Sequence, residues 1–135
     1  MKTFETLLNE NRYDCLCELL DELDTKKVIF ENDAVTREYD VEELTISRMN
    51  DGRHVILNKI VIKNKNNGNG TRFLEDLCRY CDDNDKILCV TPDTTFGASS
   101  VSRLKTFYKK FGFIENKGKH QDFTHREAMY RLPQK

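Results

Sequence analysis

Two glycines separated by one residue, Gly68 and Gly70, lie in a segment from Lys63 to Thr71 that contains no apolar residue. A β-rich run precedes this segment and apolar residues at helical spacing follow it, so the glycines are predicted between a strand and a helix. Unpaired backbone N–H groups and the positive end of a helix dipole meet at such a point. Glycine lets the backbone approach a phosphate closely, and Lys65 adds a positive charge. Residues 65–71 are therefore a candidate diphosphate site.

The glycine segment has a plainer interpretation, because Asn and Gly are also common in ordinary solvent-exposed turns. Two nucleotide-binding motifs are excluded by the spacing. The sequence contains no G-x-x-x-x-G-K-[ST] string, and it lacks the third glycine of the dinucleotide fingerprint.

The five cysteines raise the possibility of a zinc site built from Cys15, Cys17, Cys78 and Cys81. Cys78 and Cys81 are predicted on the apolar side of a helix, where free thiols behave as small hydrophobic groups. The Cys-x-Cys spacing of the first pair is not that of a zinc knuckle. We therefore predict no metal site and, without a secretory signal segment, reduced thiols.

The elements around the glycine segment follow an α+β pattern. Residues 43–49 alternate apolar and polar side chains, Asn50-Asp51-Gly52 is typical of a turn, and residues 55–62 are β-rich, which together predict an antiparallel hairpin. A helix around residues 73–81 and a buried strand at 86–91 then complete a βαβ unit with parallel strands. Further predicted elements are one or two helices in residues 4–23 with a potential break at 9–11, a short strand at 27–30, a helix at 101–111 capped by Gly112, and closing strands at 113–114 and 128–132.

The composition limits the classes of protein to which the chain can belong. A chain of 135 residues without a linker or repeat predicts one domain, residues 1–135. No apolar run approaches the roughly 20 residues of a membrane-spanning helix, so we expect a cytoplasmic protein with no membrane partner. Residues 1–50 contain six Lys or Arg against thirteen Asp or Glu, whereas residues 100–135 contain nine against three. The basic tail is typical either of a solvated surface or of one that faces an anion.

The order of these motifs resembles the GNAT superfamily of acyl-CoA N-acyltransferases. Members carry an Arg/Gln-x-x-Gly-x-Gly/Ala loop between a central strand and a helix, then a strand, a helix and a Tyr-x-x-x-Gly-Phe ending. This chain has Lys65-Asn66-Asn67-Gly68-Asn69-Gly70 and, later, Tyr108-Lys109-Lys110-Phe111-Gly112-Phe113. The similarity covers residues 55–132. Further segments resemble a phage- or prophage-encoded branch of the superfamily: Arg103-Leu104, Phe107-Tyr108, Asn116-Lys117-Gly118 and Met129-Tyr130-Arg131.

The resemblance implies a fold, a co-substrate and a set of site residues. The fold would be a single GNAT-like domain with a mixed, mostly antiparallel central sheet, a βαβ unit and helices on both faces. Acetyl-CoA would be the co-substrate and an unidentified amine the acceptor. The residues that would bind acetyl-CoA are Ile60, Val61 and Ile62 along its pantetheine arm, Lys65, Asn67, Gly68, Asn69, Gly70 and Thr71 at its diphosphate, and Arg103. Tyr108 would protonate the departing thiolate, although its spacing with Leu104 and Phe111 also fits a plain core aromatic.

The chain departs from the family pattern at the position that many members use for the general base. Many members place a Glu on the central strand, where this chain has Asn58 and Lys59. The remaining sequence candidates are a water chain, His54, His120 or a carboxylate from the acidic first half. Residues 99–102 read Ser-Ser-Val-Ser where members often have an Asn.

Two other functions are compatible with the sequence. A GNAT-fold module that binds CoA without catalysis would explain the missing strand carboxylate. A phage protein that modifies nucleic acid would explain the basic tail, whose charges include Lys105, Lys109, Lys110, Lys117, Lys119 and Arg126. The same lysines could instead serve the 3′-phosphate of CoA. Either a monomer or a homodimer is compatible with the pattern.

Overall fold

The computed structural model describes residues 4–62, 68–92 and 101–134, apart from the side chains of residues 4–11 and Asn69. The helices in these ranges are α1 (Phe4–Asp21), α2 (Ala34–Glu38), α3 (Asn69–Asp83) and α4 (Val101–Lys109), with a 3-10 turn at Gly118–His120. The strands are β1 (Val28–Phe30), β2 (Val41–Arg48), β3 (His54–Ile62), β4 (Ile87–Val90), β5 (Ile114–Glu115) and β6 (Met129–Arg131). Among the described helices, none is long and apolar enough to cross a membrane.

The strands form one six-stranded mixed sheet in the order β1-β2-β3-β4-β6-β5. Only β3 and β4 are parallel, and every other neighbouring pair is antiparallel. The predicted hairpin is confirmed as β2 and β3, which are joined by a turn in which Gly52 has a φ of 69°. The predicted βαβ unit is confirmed as β3, α3 and β4. The α+β class with a mostly antiparallel sheet is therefore correct.

The helices pack on one face of the sheet. Buried residues of all four helices, such as Leu16, Val35, Leu77 and Tyr108, join one core cluster with strand residues such as Leu57. A smaller cluster on the opposite face consists of Ile87, Cys89 and Tyr130, with Ile56 and Ile114 packed against it. The predicted placement of helices on both faces is therefore wrong for the described residues.

Around His54 and Tyr130 the second face is covered instead by the loop between β5 and β6. The ring of His125 in this loop lies 5.4 Å from the ring of Tyr130 and 5.8 Å from that of His54, measured between centroids. His54 and Tyr130 belong to β3 and β6, on the face opposite the helices. The GNAT resemblance implies helices on this face, and an irregular loop has no sequence periodicity from which it could be predicted instead.

The first half of the chain is tied to α3 by side-chain contacts. α1 runs through residues 9–11 without the potential break. Asp21, the last residue of α1, accepts a hydrogen bond from Tyr80 of α3 over 2.7 Å. The Arg79 guanidinium of α3 lies 4.0 Å from the centroid of the Tyr13 ring of α1. The acidic first half therefore packs against the helix that follows the glycine segment.

The second half of the chain is joined to α3 by an ion pair between the buried Arg131 and the half-buried Asp82. Arg131 on β6 donates two hydrogen bonds to Asp82 on α3, at 2.7 and 3.0 Å, and a third over 2.6 Å to the backbone carbonyl of Phe111, just after α4. Gly112 follows with a φ of 94°, a left-handed conformation that suits glycine and agrees with its predicted role as the cap. Arg131 thereby holds α3, α4 and β6 together.

Candidate acyl-CoA site

The site predicted from the sequence lies where β3 and β4 separate. β4 pairs with β3 only from His54 to Leu57, whereas β3 continues to Ile62 alongside β2. In the described ranges no strand pairs with the other edge of β3 from Asn58 onward. From Asn58 to Ile62 this side of β3 is therefore a free edge with respect to the described strands. The backbone groups of Ile60, Val61 and Ile62 lie along it.

A β-bulge marks the point where the edge opens. Thr45 pairs with Lys59 and Ile46 pairs with Leu57, so Asn58 is the extra residue on β3. Its side chain donates hydrogen bonds to Ser47 over 2.9 Å and to the carbonyl of Ile56 over 3.2 Å. Bulges bend a strand and leave one residue outside the ladder, and they are common beside active sites.

The start of α3 lies beyond the free edge. Gly68 is the N-cap with φ 71° and ψ 14°, a left-handed conformation that glycine adopts at little cost. As a glycine, this N-cap residue has no side chain of its own to cap the helix, and the first turn contains no acidic residue. A Cβ built on Gly70 would lie 3.6 Å from Ile62 Cδ1, so the first turn packs directly against the last residue of β3.

These positions bring most of the predicted cofactor-binding residues together. Gly68, Gly70 and Thr71 lie in the N-cap and first turn of α3, next to Ile62. The helix begins at Asn69, whose backbone is described and whose side chain is not. Lys65 and Asn67 lie outside the described residues. Arg103 is exposed in the first turn of α4 and takes part in an interaction of its own.

Tyr108 is buried at the end of α4. Its side chain is 6% exposed, and its ring makes edge-to-face contacts with Phe107 and Phe113 at centroid distances of 5.6 and 5.3 Å. Burial raises the pKa of Tyr108 to about 12. Its hydroxyl has no hydrogen-bond partner within the described part of the chain. The residue is therefore both a core aromatic and a protonated phenol at neutral pH.

A carboxylate that the sequence analysis missed lies at the end of β4. Thr91 immediately follows β4 and donates a hydrogen bond to Glu127 Oε2 over 2.5 Å, while its oxygen accepts one from the Ala128 N–H over 3.0 Å. Because Val90 pairs with Leu57, Thr91 lies at the point where β3 and β4 separate. Glu127 is separated from Thr91 by 36 residues, so no local motif connects them.

His54, a sequence candidate for the base, makes structural contacts at the other end of β3. Its Nδ1 lies 2.5 Å from Asp51 Oδ2 in the β2–β3 turn, and its Nε2 lies 3.3 Å from the Thr124 hydroxyl. Partial burial acts to raise the pKa of Asp51, but hydrogen bonds from the Arg53 and His54 amides and from the His54 ring lower it overall. His54 thus joins the turn to the loop on the second face.

The other histidines differ in exposure. His120 is exposed, and its backbone carbonyl accepts a hydrogen bond from Tyr130. Burial lowers the pKa of His125, although Asp122 acts in the opposite direction. Its Nδ1 accepts a hydrogen bond from the Glu127 amide, and its buried Nε2 has no hydrogen-bond partner in the described ranges. His125 therefore helps to fix the backbone of Glu127.

The cysteines are free thiols. Cys78 and Cys81 are buried on α3, as predicted, and burial raises the pKa of Cys78 to about 11. Cys89 is buried on β4, and burial likewise raises its pKa to about 12. No group of three or more metal-ligating side chains occurs in the residues that the structure describes.

Comparison with protein families, with curated proteins and with solved structures found no match to this chain.

Proposed function

We propose that this chain is an acyl-CoA-dependent N-acyltransferase of the GNAT type that moves an acetyl group from acetyl-CoA to an amine. One observation carries the proposal: the free edge of β3 runs from the bulge at Asn58 to Ile62, and the start of α3, with Gly68 as its N-cap, packs against that last residue. A strand edge followed by a helix start offers backbone groups first to an amide-bearing arm and then to a diphosphate. Acyl-CoA contains both groups in that order.

The diphosphate would rest on the first turn of α3. The unpaired N–H groups of that turn and the helix dipole favour an anion. Gly68 and Gly70 leave the approach to these amides free of side chains, and the lack of an acidic residue in the first turn avoids repulsion. An Asp or Ser at the N-cap would occupy the same amides with its side chain, so a glycine at this position suits a ligand.

The pantetheine arm would pair with the free edge of β3. Its two amide groups can exchange hydrogen bonds with the backbone of Ile60, Val61 and Ile62, as an added strand does. Ile60 and Ile62 also pack against the main core cluster, which keeps this edge rigid. The arm would lead toward the bulge at Asn58, where a backbone N–H of β3 would polarise the thioester carbonyl.

Tyr108 would act as the general acid. Its raised pKa of about 12 keeps the hydroxyl protonated at neutral pH, and its hydroxyl proton is not engaged by another described residue. Shielding from water raises the pKa of the departing thiol as burial raises that of the phenol, so the thiolate can take the Tyr108 proton. Tyr108 regains its proton from solvent after the product leaves.

Glu127 would act as the general base. Thr91 holds one carboxylate oxygen at the point where β3 and β4 separate, and the second oxygen is left to accept a proton. The amine nitrogen attacks the thioester carbon and forms the C–N bond, after which the C–S bond breaks and its electron pair goes to sulfur. The extra proton on nitrogen passes to Glu127, and the sulfur takes the Tyr108 proton.

Calorimetric titration with acetyl-CoA and CoA tests the proposal. We expect both to bind, and we expect turnover against a panel of amines that falls by about a hundredfold in Tyr108→Phe. The lack of binding at millimolar ligand to the folded protein would remove the proposal. Binding without turnover by the wild type would favour the non-catalytic CoA-binding module instead.

The nucleic-acid hypothesis has less support. Lys105, Lys109 and Lys117 surround Glu115, with N–O distances of 3.0, 3.6 and 3.6 Å. The carboxylate offsets part of the positive charge that motivated a phosphate-binding tail, because ion pairs within the protein compete with contacts to an external anion. A gel shift at low salt remains its direct test.

A further inference from the structure

The strand at one edge of the sheet exposes apolar side chains. β1 pairs with β2 through Val28, Ile29 and Phe30, and its outer edge has no strand partner among the described residues. Ile29 is 61% exposed and Val28 is 38% exposed. An edge strand with unpaired backbone groups and exposed apolar residues is a template for another strand.

Charged residues flank this strand in a symmetric order. Because side chains alternate along a strand, Lys27, Ile29 and Glu31 lie on one face, and Val28 and Phe30 lie on the other. Lys27 and Glu31 are exposed, and neither forms an ion pair within the ranges that the structure describes. The segment 27–31 therefore has a positive end, an apolar centre and a negative end.

We propose that β1 of two copies of this chain pair in an antiparallel manner about a two-fold axis at Ile29. In that register Ile29 faces Ile29 of the second copy, and Val28 faces Phe30. Lys27 then faces Glu31 of the second copy, and by symmetry Glu31 faces Lys27. Opposite charges directly across a strand pair stabilise it, and like charges destabilise it. The pairing would join two six-stranded sheets into one.

The charges also favour a second copy of this chain over other strands as the partner of β1. Lysines beside an edge strand ordinarily prevent indiscriminate pairing. A second copy in this register is a strand that presents a carboxylate to each Lys27. Because β1 has three residues, the contact is small, and we expect a weak dimer with a Kd of about 10 µM to 1 mM.

Sedimentation equilibrium at low ionic strength measures the association. We expect the wild type to dimerise with increasing concentration. K27E and E31K each place like charges in both symmetry-related pairs, so each variant should associate at least about tenfold more weakly, or ~1.4 kcal/mol. K27E/E31K restores both pairs and should dimerise like the wild type. A mixture of the two single variants should form a heterodimer, because its pairs are complementary.

K26E is the matched control. It makes the same charge change one residue away, but Lys26 would face the neutral Asn32, so its dimerisation should stay close to that of the wild type. Circular dichroism checks that each variant is folded, as expected for exposed positions. A wild type that remains monomeric up to about 1 mM overturns the proposal. So does a K26E effect as large as that of K27E, or a double variant that fails to recover.

Discussion

Replacing Gly70 by Asp separates the stability of α3 from its proposed role in binding. Gly70 lies in the first turn of a helix whose N-cap is Gly68, and a Cβ there would lie 3.6 Å from Ile62, an ordinary contact. Asp is a better helix residue than Gly and its charge complements the dipole, so G70D should stabilise the fold by about 0.5–1 kcal/mol.

The same charge should oppose the diphosphate of acyl-CoA. Two unit charges about 6 Å apart at an effective dielectric constant near 20 repel by about 2.8 kcal/mol. Screening by salt leaves roughly 1.4 to 2.8 kcal/mol, which is a ten- to hundredfold loss of affinity. G70D should therefore unfold at a higher temperature but bind CoA more weakly.

Thermal unfolding and calorimetry with CoA provide the two measurements. Gly70→Asn is the matched control, because it has nearly the same shape without the charge and should retain most of the affinity. If G70D binds CoA as tightly as G70N, the diphosphate does not rest on the start of α3 and the reasoning is refuted.

Three further predictions concern Glu127, Tyr108 and Asp82. Glu127→Gln should lower kcat by about a hundredfold or more while the affinity for acetyl-CoA stays unchanged, and an unchanged pH–rate profile would exclude it as the base. Tyr108→Phe should preserve the fold, because it keeps the ring contacts, and a thermal midpoint close to that of the wild type checks this. Asp82→Asn should destabilise the protein by about 2–4 kcal/mol in denaturant unfolding at pH 7, because Arg131 is left buried without its carboxylate. Burial acts to raise the pKa of Asp82, but the Arg131 hydrogen bonds lower it overall, so this contribution is present above an unfolded-state pKa near 3.9 and is lost as pH falls through the lower folded-state value. The difference between wild type and D82N should shrink below about pH 4, and a constant difference would contradict it.

Local sequence patterns predicted the elements with strong periodicity. The alternation in β2, the turn at Gly52 and the apolar run of β3 were enough to predict the hairpin. The glycine segment and the helical spacing after it predicted the βαβ unit. α2 was missed, although Asp33 and Thr36 form a capping box whose side chains and amides pair reciprocally. Its five residues are too few to show an amphipathic period.

Contacts between residues that are distant in the chain could not be predicted from local sequence patterns. β3 is apolar on both faces, which predicts cover on each side, and the GNAT resemblance implies helices there, yet a loop that carries His125 lies on the second face. Likewise, Glu127 reaches Thr91 only because β6 inserts between β4 and β5. Sheet order and loop packing depend on contacts between distant residues, and neither leaves a periodic trace in the sequence.

Hydrogen–deuterium exchange with and without acetyl-CoA would show whether the ligand contacts β3 and the start of α3, because it reports on individual backbone amides. We expect saturating acetyl-CoA to slow amide exchange along Ile60, Val61 and Ile62 and in the first turn of α3. Exchange at the β1 edge should stay unchanged. Exchange in those two segments that is the same with and without the ligand, while acetyl-CoA is bound, would place the ligand elsewhere and contradict the account.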